Sequence, residues 1–136
     1  MTLDELWRSL PNGLHDAELV RLQVDYATRE AAFDLNVDIS RVETDVGQHE
    51  EAYRLARVVF SGIQFIAIDT PDTDDDYIGV SLVDAGTGQP RTAPGKLPWL
   101  PDDCFLCWLF VVRWNGFVRI AARSVALEWI DQIQAS

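Results

Sequence analysis

The sequence predicts a mainly β protein: an antiparallel meander that curls into a sandwich or partial barrel behind one short N-terminal helix. Two stretches carry this prediction. From Glu18 to Ile39 apolar and polar residues alternate with period two, and from Cys104 to Trp129 two long apolar runs flank Asn115-Gly116, a strong hairpin signal. A third observation excludes the main rival. No long amphipathic helix separates the strand-like runs, so a parallel α/β architecture is disfavoured.

The helix comes first. Thr2-Leu3-Asp4-Glu5 fits a capping box, and Leu3, Trp7 and Leu10 follow at helical spacing. Pro11-Asn12-Gly13 should stop this helix and turn the chain. In the next segment, a turn at Thr28-Arg29 would set Val24 opposite Phe33, Leu22 opposite Leu35 and Val20 opposite Val37. All three pairs are apolar and share one face, while Arg21, Asp34 and Asp38 fall on the other and should meet water. Residues 40 to 52 are polar and read as a loop. Strands are expected at Tyr53–Phe60, at Ile63–Ile68 after the break at Ser61-Gly62, and at Ile78–Val83. The four prolines between 85 and 103 predict a long loop. Helix is otherwise expected only in the tail, from Trp129 to Gln134.

The 136 residues fit one domain, 1–136, large enough to bury a core. Hydrophobic residues make up 48%, which excludes a disordered tail. The acidic start and the lack of a long apolar run predict a cytoplasmic protein with no membrane partner. Net charge is −11 and uneven. Residues 1–103 hold 20 acidic and 8 basic side chains, whereas residues 104–136 hold three arginines against Glu128 and Asp131. A body this acidic repels nucleic acid and would attract a basic protein; acidic charge also simply keeps a protein soluble.

Several motifs are candidate sites. Cys104 and Cys107 form a CxxC, but in a strand residues i and i+3 lie about 10 Å apart on opposite faces, too far for a disulfide. Both are expected to be reduced, buried and unligated. His15 and His49 lack metal-ligand spacing, so neither a metal nor another cofactor is predicted. His15-Asp16 is a secondary candidate, since a histidine beside a carboxylate can act as a general base. A turn pair bonded to backbone is the commoner role. The acidic run Asp72, Asp74, Asp75 and Asp76 fails as a calcium loop, because Tyr77 stands where glycine is needed and Val83 where glutamate is needed. It remains a candidate contact for a basic partner. No phosphate loop, dinucleotide fingerprint or nucleophile elbow is present.

The hairpin supplies the remaining candidate. A two-residue turn at Asn115-Gly116 would pair Trp114 with Phe117, Val112 with Arg119, Phe110 with Ala121 and Trp108 with Arg123. Its other face would pair Val111 with Ile120, Leu109 with Ala122 and Cys107 with Ser124, and reads as core. Trp108, Trp114, Arg119 and Arg123 thus share a face of aromatics and arginines, the residue types that dominate binding hot spots. The competing expectation is that the helix or the proline-rich loop covers this face and that acids pair the arginines.

The N-terminal helix with Trp7, the run PNGLHDAEL, the pair RVVFSGIQF and the closing VALEW resemble small bacterial β-rich proteins of uncharacterised role. Proteins of this look are similar to immunity proteins of bacterial toxin systems. The resemblance implies a non-enzymatic binding protein with an acidic surface for a basic protein partner, and transfers no catalytic residue. The alternatives are a binder of a small anionic ligand, or an enzyme, at the Arg119/Arg123 face, and a homodimer that buries that face.

Overall fold

The computed structural model describes residues 1–40, 52–69, 79–88 and 98–130. Eight antiparallel strands form one sheet, in the order β5-β8-β7-β6-β2-β3-β4-β9. The strands are β2 (Ala17–Asp25), β3 (Glu30–Asp38), β4 (Tyr53–Ser61), β5 (Phe65–Ile68), β6 (Ser81–Thr87), β7 (Phe105–Val111), β8 (Gly116–Ala122) and β9 (Ser124–Trp129). A short strand β1 (Pro11–Leu14) stands outside that order, after the single helix α1 (Leu3–Ser9). Two three-strand meanders, β2-β3-β4 and β6-β7-β8, are joined where β2 pairs with β6. The sheet curls without closing into a barrel.

One corner explains the curl. β4 runs on through Gly62 into β5, and β8 runs on through Arg123 into β9. The two bent strands pair with each other along both arms. Arg123 N donates to Ser61 O (3.0 Å) and Gln64 N to Ala121 O (2.8 Å), so the ladder survives the bend. Gly62 is left-handed (φ 65°), and a Cβ there would meet Arg123 Cβ at 3.0 Å. The corner therefore needs glycine on both counts.

The inner face holds the core. Phe33, Leu35 and Val37 of β3, Val58 and Phe60 of β4, and Leu109, Val111, Val118 and Ile120 of β7 and β8 are all buried. Phe33 meets Phe60 edge-on at 5.5 Å. α1 closes one end of the sheet. Thr2 Oγ1 accepts from Glu5 N (3.2 Å), and Leu3, Leu6 and Leu10 are buried against β1 and β9. Trp7 stays half-exposed and donates its indole N–H to Thr87 Oγ1 (3.0 Å).

Several sequence expectations need correction. Pro11-Asn12-Gly13 is not only a turn but begins β1, and Asn12 Nδ2 donates to the Asp38 and Ser40 carbonyls. The first hairpin closes on Asp25 and Glu30, giving a four-residue loop with Arg29 left-handed. Leu22 therefore meets Phe33 and Val24 meets Ala31, a register two residues from the one expected. A bulge at Val20 then breaks the alternation, so Leu19 faces inward opposite Leu35 and Val20 is 49% exposed. β6 spans Ser81–Thr87 and so continues into the expected loop, while the expected start at Ile78 lies outside the described residues. The run from Gly116 to Trp129 is two strands, because β9 leaves β7 and pairs with β4. Trp129 ends β9, and the rest of the expected tail helix, from 131, lies outside the described residues.

Candidate functional site

The second hairpin also differs in register. Val111 pairs with Gly116, so the loop is Val112–Asn115 and the register shifts by four residues. Asn115 takes the left-handed conformation (φ 49°), and Trp114 N and Asn115 N donate to Val111 O and Val112 O. A shift of four leaves the side chains within β7 and β8 on their expected faces. Cys107, Leu109, Val111, Ile120 and Ala122 are buried on the expected core face together with Val118, whereas Ser124, expected beside Cys107, is exposed at the start of β9. Trp108, Phe110, Phe117 and Arg119 share the other.

The four residues proposed from sequence do not stay together. Trp108 stands directly opposite Arg119. Trp114 lies in the loop, and Arg123 lies at the corner, where its Nε donates to Asp103 Oδ2 (2.8 Å). That pair is exposed on both sides, 47% and 63%, and adds little stability. The expectation that acids pair the arginines thus holds for Arg123, and among the described residues no acid pairs Arg119.

Around Arg119 the face is aromatic. Phe117 meets Trp108 edge-on at 5.8 Å and Phe110 at 4.9 Å. β5 brings Phe65 alongside, with the Arg119 guanidinium carbon 5.9 Å from its ring centroid. Gly86 lies opposite Trp108, and a Cβ there would meet the indole at 2.5 Å, so the ring rests flat over β6. Asp69 clamps the start of β8: Phe117 N donates to Asp69 Oδ2 (2.8 Å) and Asp69 N to Phe117 O (2.9 Å). α1 packs chiefly on β1 and β9, away from this face.

Arg119 Nη1 is buried and has no hydrogen-bond partner. An arginine carries five N–H donors and stays charged, so a buried, unpaired guanidinium nitrogen is costly. In so acidic a chain carboxylates are abundant, yet none of the described ones hydrogen-bonds this nitrogen. The aromatic rings offer a cation–π contact to one side and no acceptor.

The secondary pair stands at the border of the same face. His15 Nε2 lies 3.5 Å from Asp16 Oδ2, and His15 Nδ1 lies 3.5 Å from Asp84 Oδ1. Asp84 is opposite Phe110. Asp16 is left-handed (φ 58°) in the turn between β1 and β2, which fits its turn role. Asp72, Asp74, Asp75 and Asp76, together with His49, lie outside the described residues.

Both thiols are free. Cys107 is buried, and burial pushes its thiol up to about 12. Cys104 is a correction: it precedes β7, is only half-buried, and donates its Sγ–H to Pro101 O (3.0 Å). Among the described residues no grouping of three or more His, Cys, Asp or Glu could hold a metal.

Two concavities lie among the described residues. Beneath Phe33, Phe60 and Leu109 the core leaves an apolar void of about 10 Å³, room for one water at most. At the free edge of β2 a cleft of about 380 Å³ opens beside Trp114. Sequence reasoning missed Phe65, because nothing local reveals that β5 returns to pair with β8. It also missed Gly86, whose one signal was a glycine inside an alternating run.

Comparison with known proteins found no matching family model, curated protein or solved structure.

Proposed function

We propose that this chain is a non-enzymatic binding protein whose aromatic face, centred on Arg119, receives a carboxylate attached to an aromatic or apolar group. The observation that carries this reading is the buried, unpartnered Nη1 of Arg119. A carboxylate would supply the missing acceptor through a charge-assisted hydrogen bond, and Trp108, Phe117 and Phe65 would pack its apolar body. Arg123 is already paired and serves as the control. Titration calorimetry with benzoate and with neutral benzamide tests this. Benzoate binds the wild type and Arg123→Gln, and Arg119→Gln weakens it by about tenfold or more. Equal benzoate affinity in all three proteins, or a preference for benzamide, contradicts it.

A second reading rests on the net charge of −11, which favours a basic protein partner of the immunity type. Such a partner would associate more slowly as salt rises, and slower still with Asp74→Asn and Asp75→Asn. If neither pair of variants affects any interaction, burial of the aromatic face between two copies becomes the leading alternative. Sedimentation of Arg119→Glu against wild type then tests it.

A further inference from the structure

The cleft at the edge of β2 has features that the Arg119 face does not explain. β2 pairs with β6 only over Ala17–Leu19, and the bulge at Val20 falls where that pairing ends. Beyond it, among the described residues, one edge of β2 has no neighbouring strand. Leu19, Leu22, Val24, Ile68, Val111 and Trp114 line the gap, whose volume of about 380 Å³ lies within the range of small-molecule sites. Its rim is apolar as well. Val20 and Ile68 are 49% and 45% exposed, and Leu82 and Val112, next in sequence to lining residues, are 44% and 50% exposed. Apolar side chains gathered around one opening mark a binding site more often than scattered ones do.

Two polar side chains also line the cleft. Ser81 is committed: its Oγ accepts from Arg113 N (3.0 Å) and donates to Leu82 O (3.0 Å). Arg21 is not. It stands opposite Asp34 in the sheet, but Arg57 takes both Asp34 oxygens, at 2.8 and 3.2 Å. Among the described residues Arg21 has neither a hydrogen bond nor an ion pair. The result is an apolar trough with a free guanidinium at its lip.

We infer that this cleft is a second binding site, and that its ligand is an amphipathic monocarboxylate. The apolar chain lies along β2 toward Trp114, and the carboxylate meets Arg21. The bulge makes this geometry, because it sets Arg21 on the outer side while Leu22 and Val24 face the gap. The site is separate from the Arg119 face and does not depend on the function proposed for it.

Decanoate is the probe, with hexanoate and decanol as controls, and titration calorimetry the measurement. Wild type binds decanoate more tightly than hexanoate, because the added methylenes leave water. Arg21→Gln lowers decanoate affinity by about tenfold or more, without changing decanol affinity. Val20→Glu, which sets a second carboxylate at the rim, weakens decanoate similarly. Both residues are exposed, so both variants should fold, which circular dichroism checks. Arg119→Gln leaves decanoate binding intact. No decanoate binding, equal affinity in Arg21→Gln, or loss in Arg119→Gln but not in Arg21→Gln would each overturn the assignment.

Discussion

At the scale of single residues, Arg119 and Cys107 show opposite ways of burying a polar group. Cys107 behaves as a small apolar side chain, and its burial shows in how it titrates. The thiol rises from 9.0 to about 12 in the fold. Between those values the unfolded chain releases a proton that the folded chain keeps. Stability from this group is therefore complete below pH 9 and falls as pH rises, by up to about 1.4 kcal/mol per pH unit. Urea midpoints for wild type should drop more between pH 8.5 and 10.5 than those of Cys107→Ala, although the variant starts lower. Parallel profiles would show that Cys107 ionises freely in the fold. Arg119 has no such neutral form to retreat to. If its unpaired nitrogen is held for a ligand, removing it should relieve the fold. Arg119→Met should raise stability by about 1 kcal/mol while abolishing benzoate binding. A loss of more than about 1 kcal/mol in urea unfolding would instead make Arg119 a structural residue.

At the scale of elements, the faces of the strands were legible and their registers were not. Alternation reports which side a residue takes, and a slip of two or four residues leaves that side unchanged. Both hairpins slipped by an even number, so Cys107, Leu109 and Val111 were rightly placed in the core while Trp114 and Arg123 were wrongly set beside Trp108 and Arg119. Loop length decides this, and four-residue loops carry weaker signals than Asn-Gly in a tight turn. The bulge at Val20 was illegible for a different reason. It inserts one residue and inverts the alternation without any glycine to mark it. Gly86 is the element-scale counterpart of Arg119, since its bare backbone lets the Trp108 indole lie flat. Gly86→Ala should cost about 1–3 kcal/mol and weaken benzoate binding, as the ring is pushed off β6. Unchanged unfolding and unchanged Trp fluorescence would contradict that packing.

At the scale of the whole molecule, pairings distant in sequence build the site. β5 reaches β8, and β9 reaches β4, only because both bent strands turn the Gly62/Arg123 corner together. No local pattern encodes that, which is why the fold class was legible and the position of Phe65 was not. The corner predicts its own sensitivity. Gly62→Val must hold a β-branched side chain at φ 65° against Arg123, and should destabilise by about 2 kcal/mol or more in urea unfolding. A neutral result would mean that the bend does not depend on this backbone. The proposed function requires Arg119 to bind an anion at the centre of an aromatic face. Nitrogen-15 spectra of the arginine Nε–H groups during a benzoate titration test this most directly, with Arg119→Gln assigning the resonance. The account predicts that the Arg119 signal and the Trp108 indole signal move together and saturably, and that benzamide moves neither. Movement of Arg21 or Arg123 with Arg119 unmoved would contradict it.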